Sequence, residues 1–403
     1  MTVKIKPSEL CGNVKAPSSK SMSHRLLICA GLSSEESYIK NIAYSEDVLA
    51  TLDCLEVMGA EITRGTDYIK IKGTSPDKKG CCEYFCRESG STLRFFVPLA
   101  MLCENESTFR GSERLMERPM SVYEKLAVEK GIFYKNTDGV LCVGGKLPSG
   151  KYTVAADISS QFISGLLFAL PLCEGDSEIR LEGTVSSRSY IDMTLEAMAM
   201  FGVNASWKDG NTLFIGGSQS YQGKSLTVEG DYSNAAFLDA FNFVGGNVNA
   251  EGLRDDTLQG DAVYKEYFSL LRDGTPTLDV SNCPDLAPIL MSLATELNGA
   301  VLKGTARLRI KESDRGAVMK QELSKLGADI EVLEDEIIIN KTILTSSEEP
   351  LDSHNDHRVV MSLAVLCSKY GGEIRDAQAV RKSYPDFFER AVELGLEAET
   401  DDD

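Results

Sequence analysis

The chain is poor in the residues that most often announce a function. Its 403 residues include only three histidines, His24, His354 and His357, too few and too scattered for a histidine-built metal centre. Against 61 Asp and Glu it sets 42 Lys and Arg, a net charge of −19. It therefore lacks the broad basic face of a nucleic-acid or acidic-membrane binder. The longest apolar run, Phe162 to Cys173, falls short of the roughly 20 residues that span a bilayer. The opening MTVKIKPSEL has no apolar signal-peptide core, so a cytoplasmic location is expected. Cysteines are present, 11 of them, but an odd number without a secretion signal suggests reduced thiols. Cys81, Cys82 and Cys86 lack paired C-x-x-C spacing, and no metal is expected there or elsewhere. No Ser-His-Asp order is readable.

Glycine is missing where one phosphate-binding pattern needs it. Lys15–Arg25 reads KAPSSKSMSHR, with the Lys-Ser ending of G-x-x-x-x-G-K-[ST], yet Val14 and Ser19 stand at the glycine positions. An anion held here must meet a helix end instead of a wrapping loop.

What is present is repetition, in a length that suggests two domains. Six helix-like runs end at glycines 59, 131, 202, 274, 327 and 395, each suited to a left-handed cap. Alternating segments with turns follow most of them, as in EITRGTDYIKIKG and VNASWKDGNTLFIGG, and read as β-hairpins. A second helix series starts polar and turns apolar. With Ser19, Gly90, Ser160, Asn234, Asp285 and His357 as markers, its steps are 71, 70, 74, 51 and 72 residues. Each unit thus reads as strand, helix, strand, helix, hairpin, with the fourth unit trimmed. Two α/β domains of three units are expected, divided near 221–226.

In the first of these helices Met22, Leu26, Cys29 and Ala30 form the expected buried stripe. Ser18 or Ser19 is the expected cap, and Ser21 and Arg25 share the other face. Lys20 adds a movable charge and Arg25 a planar fork for phosphate or carboxylate. Alone, this is as well explained by a capped surface helix. However, Lys20, Arg25, Arg94, Arg118, Arg188, Lys311, Arg315, Arg358 and Lys382 all stand at or near helix starts of an acidic protein. That recurrence points to a focused anion site. Ser159, Ser160 and Gln161 add neutral hydrogen bonds, and Gly90 allows close backbone approach. Asp285, Glu312 and Lys20 are the acid–base candidates, although an acid at a helix start is ordinarily a cap. His357 is a candidate proton carrier or hydrogen-bond donor.

Taken in order, KAPSSKSMSHR, SGSTLR, MERP, DISSQFISGLL, SYIDMTL, EGDYSNAAF, PDLAP, RIKESDR, NDHRVVMSLAV and KSYPDFF resemble the 5-enolpyruvylshikimate-3-phosphate synthases along the whole chain. The resemblance implies two domains of three βαβαββ units each, an inside-out α/β barrel. It implies domains of 18–225 and of 1–17 plus 226–403, joined by two crossings. Lys20, Ser21, Arg25, Ser159, Ser160, Gln161, Arg188, Tyr190, Asp285 and Lys311 would face shikimate 3-phosphate. Lys20, Gly90, Arg94, Arg118, Gln161, Arg315, His357, Arg358 and Lys382 would face phosphoenolpyruvate. Asp285 would serve as base, Glu312 would handle the C3 proton, and Lys20 could share either role. No cofactor, metal, nucleic acid or membrane is implied, and a monomer is expected. Two departures stand out: Glu88-Ser89-Gly90-Ser91 where the family often has Asn-Ala-Gly-Thr, and Arg307 where an Asn can stand. The sister enzyme acting on UDP-N-acetylglucosamine carries Lys-Asn in its first motif, unlike Lys20-Ser21. A nucleotide-dependent kinase would need the missing glycines, and a non-catalytic repeat scaffold would tolerate loss of Lys20, Asp285 and Glu312.

Overall fold

The computed structural model describes residues 1–76, 81–155, 158–183, 185 and 187–401. They form two compact units, one of Ser18–Glu229 and one of Met1–Pro17 with Gly230–Asp403. The expected division after residue 225 is displaced to Glu229–Gly230. Strand Ser225–Thr227 pairs in parallel with Ser37–Lys40, which keeps it in the first of these units.

Each unit is mixed α/β, and one strand layout recurs. A parallel pair is extended by an antiparallel hairpin, as in the order Ser225–Thr227, Ser37–Lys40, Tyr68–Lys72, Glu61–Arg64. The same order builds the sheets of Glu83–Phe85 and of Gly150–Ala155 in that unit, and of Thr277–Asp279 in the other. In the sixth sheet the chain's first strand, Thr2–Lys6, takes the inner hairpin position between Gly372–Arg375 and Glu397–Asp401. The fourth repeat is indeed trimmed: among the described residues Cys11–Lys15 pairs only with Asn247–Glu251. Gly274 is followed directly by Thr277–Asp279, so no hairpin fits, and its φ of 175° is extended. The other five helix-ending glycines have φ between 66° and 115°, the left-handed region expected of such caps.

The opening strands are exchanged between repeats. Cys11–Lys15 precedes helix Lys20–Gly31 in the chain but pairs beside Asn247–Glu251. Ser225–Thr227 precedes helix Tyr232–Ala240 but pairs beside Ser37–Lys40.

Helices lie within, sheets without. In the Lys20–Gly31 helix every residue from Met22 to Gly31 is buried, so the expected one-sided stripe is too narrow. Arg25, placed on an open face by its spacing, is buried as well. Gly90–Ala100, Ser160–Ala169, Ala287–Glu296 and His357–Tyr370 are also enclosed nearly all round. Interior helices must present either end to polar groups, which fixes where chemistry can sit. Among the described residues no helix is long and apolar enough to cross a membrane. Cys82 and Cys86 are buried, Cys81 is exposed, and no described group of His, Cys, Asp and Glu could hold a metal ion.

Candidate active site

In the Ser18–Glu229 unit the site residues gather at the starts of three interior helices. Ser19 caps the first, accepting from Met22 N–H at 3.3 Å, whereas Ser18 Oγ accepts from Ala43 N–H. Lys20 Nζ lies 2.9 Å from Asp47 Oδ2, both largely shielded from solvent. Asp47 escaped the sequence reading because an acid in the first turn of helix Glu46–Met58 looks like a dipole partner. Arg25 donates from Nε to Thr194 Oγ1, from Nη1 to the Ser21 carbonyl and from Nη2 to the Tyr190 carbonyl, at 2.6–2.9 Å. These bonds use three of its five N–H donors and tie the start of the Lys20 helix to helix Arg188–Met200. Burial draws its pKa down to about 10, so the guanidinium is still charged at neutral pH.

Ser89 caps the second helix. A Cβ on Gly90 would come within 2.7 Å of Arg118 Nη1, so this glycine makes room for a guanidinium of its own unit. Arg94 Nη1 donates to Gln161 Oε1 at 2.6 Å, and Gln161 Nε2 donates to Ser91 Oγ at 2.9 Å. Gln161 thereby links the second and third starts, and Ser91, one of the two departures, is part of that link. Arg94 and Arg118 are buried cations. Ser159 caps the third helix through Gln161 N–H, with Ser160 buried beside it. Arg188 stands apart. Its guanidinium lies 4.0 Å from the Trp207 ring centroid, with Nη1 on the Gly210 carbonyl, and it is well exposed.

In the other unit the candidates Asp285, Lys311, Glu312, Arg315 and Arg358 form one charged network. Asp285 does not cap its helix. Its Oδ1 accepts from Lys311 Nζ at 3.2 Å and Arg315 Nη1 at 2.7 Å, and its Oδ2 from Arg358 Nη2 at 3.3 Å. Arg315, 1% exposed, also reaches Glu312 Oε2 at 2.8 Å and both oxygens of Asp356, at 2.9 and 3.2 Å. Burial pulls its pKa down, but Asp356, Glu312 and Asp285 outweigh it and hold the pKa well above the ordinary arginine value. Its fork is thus spread over three carboxylates, Asp285, Glu312 and Asp356. Asp356 caps helix His357–Tyr370 through Arg358 N–H and accepts from Ser313 Oγ. Its cap position in NDHR hid this second role from the sequence.

Lys311 has its pKa lowered, chiefly by burial and also by Arg315 and Arg307, with Asp285 opposing. Lys382 Nζ donates to the Asn355 carbonyl at 2.5 Å, and His357 is buried next to Asp356. Asp261, not foreseen, is buried and accepts from Ser233 Oγ. Burial, then the charge on Asp285, pushes its pKa up to about 6. Chemically, the network can deliver cations to an anionic ligand and a carboxylate to a hydroxyl.

The family model for EPSP synthase (3-phosphoshikimate 1-carboxyvinyltransferase) matches residues 4–391. The 3-phosphoshikimate 1-carboxyvinyltransferase of Clostridium kluyveri is 40% identical over 417 aligned positions, covering 98% of this chain and 97% of that protein. That of Clostridium acetobutylicum is 39% identical with the same coverage. Among solved structures, an EPSP synthase from Acinetobacter baumannii superposes with a TM-score of 0.80 at 23% identity, covering 99% of this chain and all of that one, a likeness of fold. With interior helices whose starts gather cations in each unit, and a match along nearly its whole length, this chain belongs to the EPSP synthase family.

Proposed function

We propose that this protein transfers the enolpyruvyl group of phosphoenolpyruvate to the 5-hydroxyl of shikimate 3-phosphate, releasing phosphate. The observation that carries the reading is Asp285. It is an acid at a helix start that caps nothing and instead collects Lys311, Arg315 and Arg358. The hydroxyl attacks C2 of phosphoenolpyruvate while C3 gains a proton, and the tetrahedral intermediate then loses phosphate and a C3 proton. Such a reaction needs a base, an acid and cations that stabilise a departing phosphate.

Lys20, Ser21, Arg25, Ser159, Ser160, Gln161, Arg188, Tyr190, Asp285 and Lys311 are assigned to shikimate 3-phosphate. Lys20, Gly90, Arg94, Arg118, Gln161, Arg315, His357, Arg358 and Lys382 are assigned to phosphoenolpyruvate. A carboxylate held by three cations is a weak base, because neighbouring positive charge favours its ionised form. Asp285 gains basicity when an anionic substrate draws Lys311 or Arg358 away from it, which couples base strength to substrate binding. Glu312, joined to Arg315, is assigned the C3 proton, and Lys20 shares the proton traffic. The Ser18–Glu229 unit serves mainly shikimate 3-phosphate, the other unit mainly phosphoenolpyruvate and proton transfer. The protein acts as a cytoplasmic monomer without metal or cofactor.

The test is phosphate release from phosphoenolpyruvate and shikimate 3-phosphate with chelator present and ATP absent. Release is expected, with Lys20→Met and Glu312→Ala each lowering turnover by orders of magnitude while the fold survives. Release only with UDP-N-acetylglucosamine, or a strict need for magnesium and ATP, would overturn the reading.

A further inference from the structure

Residue 24 lies between two site residues of the first helix, yet it faces away from both. His24 is 1% exposed, and its ring is edge-on to Phe95 with centroids 6.4 Å apart. Its Nδ1 is 2.7 Å from Thr51 Oγ1, and Thr51 Oγ1 is 2.8 Å from Thr92 Oγ1. Thr92 Oγ1 donates to Ser89 Oγ at 2.8 Å; its other acceptor, the Asp47 carbonyl, lies at 3.5 Å. Ser89 is the cap of the Gly90–Ala100 helix. A chain of buried groups thus runs from the first interior helix through the Glu46–Met58 helix to the start of the second.

Of the two orders the hydrogens in that chain can take, one leaves no buried ring N–H without an acceptor. With Thr92 donating to Ser89, its oxygen is the acceptor for Thr51. Thr51 has then spent its only hydrogen, so His24 must donate from Nδ1. Nε2 keeps a bare lone pair and has no partner, which costs less in a buried site than an orphaned N–H. Burial, with Lys20 and Arg25 nearby, keeps the ring neutral by lowering its pKa well below the usual value, so this tautomer persists at working pH.

We propose that His24 is a positioning residue for the phosphoenolpyruvate side of the site, acting as the terminal donor that fixes the Ser89 cap. The inference rests on the assignment of Gly90, Arg94, Arg118 and Gln161 to phosphoenolpyruvate. All four depend on the turn that Ser89 begins: Arg118 packs on Gly90, and Ser91 and Arg94 hold Gln161. Gln161 is assigned to both substrates, but residues assigned only to shikimate 3-phosphate have separate anchors: Arg25 on Thr194 and the Tyr190 carbonyl, Ser159 on its own helix. Loss of the donor therefore acts chiefly on phosphoenolpyruvate and reaches shikimate 3-phosphate only through the shared Gln161.

The test compares His24→Leu, His24→Asn and Thr51→Val in steady-state kinetics, with melting curves for each. Asparagine offers an N–H donor at the Nδ1 position, leucine offers none, and valine breaks the chain one link on without touching the first helix. His24→Leu and Thr51→Val should each raise KM for phosphoenolpyruvate about tenfold, the effect of one lost buried hydrogen bond. KM for shikimate 3-phosphate should hold within about twofold, and the double variant should be no worse than either single one. His24→Asn should restore the wild-type KM. Melting temperatures that fall while both KM values stay put, or an asparagine variant as poor as leucine, would overturn the inference. Wild-type protein inactive on this substrate pair would instead sink the assignment on which it rests.

Discussion

Removing the Asp356 carboxylate takes away two supports at once, and the structure allows the cost to be worked out. Asp356 is fully buried, caps helix His357–Tyr370 through Arg358 N–H at 2.9 Å, and holds Arg315 by two hydrogen bonds. Loss of a helix cap costs about 1 kcal/mol. Leaving a buried cation without one of its carboxylates costs about 3–5 kcal/mol, and Arg315 is 1% exposed, so water cannot substitute. Asp356→Ala should therefore destabilise its unit by about 4–6 kcal/mol, a large share of the 5–15 kcal/mol typical of a domain. Asp356→Asn keeps an oxygen for the cap but not the charge, and should cost about 2 kcal/mol. Urea unfolding followed by circular dichroism measures both; at a slope of about 2–3 kcal/mol/M the alanine variant's midpoint should drop by about 2 M. A midpoint within about 0.3 M of wild type would mean that Asp285 and Glu312 alone balance Arg315, and the network would lose its proposed anchor.

Gly90→Ala pushes a methyl against Arg118 Nη1, the far end of a flexible side chain, so the fold should survive with KM for phosphoenolpyruvate raised roughly ten- to a hundredfold; an unchanged KM would show that Arg118 does not serve this substrate. His24 should leave a pH signature in stability. It stays neutral in the folded chain, so below pH about 6.5 the unfolded chain binds one proton more and stability falls by about 1.4 kcal/mol per pH unit until the folded pKa is reached. Denaturant titrations between pH 5 and 7 should show this slope flattened in His24→Asn, and identical slopes would refute it. Trp207, the only tryptophan in the chain, sits under Arg188. Adding shikimate 3-phosphate should change its emission saturably as Arg188 leaves the ring; emission that does not respond would remove Arg188 from the substrate contacts.

Much of the fold was legible because each repeat carries its own punctuation. Capping glycines and alternating hairpins are local signals, readable one unit at a time, and the one glycine that is not left-handed, Gly274, marks the unit without a hairpin. The exchange of opening strands was not legible in pattern or propensity. Cys11–Lys15 and Ser225–Thr227 are short strands with nothing in their own residues to choose between the neighbours that Ser37–Lys40 and Asn247–Glu251 offer. That choice rests on contacts far apart in sequence, which is why the unit boundary lay beyond the expected residue. The enclosed helices misled for a related reason: His24 and Arg25 are buried, but in a helical pattern they occupy a polar face.

The site shows the same division between local and distant signals, and it bears on how anions are attracted. Cations at helix starts are visible in the sequence one by one, whereas their partners are not, because Asp285 and Arg315 or Lys20 and Asp47 meet across long separations. Counting the cations alone therefore overstates the positive charge on offer. In the second unit Lys311, Arg315 and Arg358 are ion-paired with Asp285, Glu312 and Asp356. An anion entering such a network must compete with a carboxylate for each donor. Competition favours ligands with several acceptor oxygens in a fixed array, such as a phosphate, over single anions. On the proposed substrate assignments, a bound phosphate would also loosen the cations' hold on Asp285. With Asp285 as the proposed base, that competition would tie selectivity for phosphorylated substrates to the release of the base.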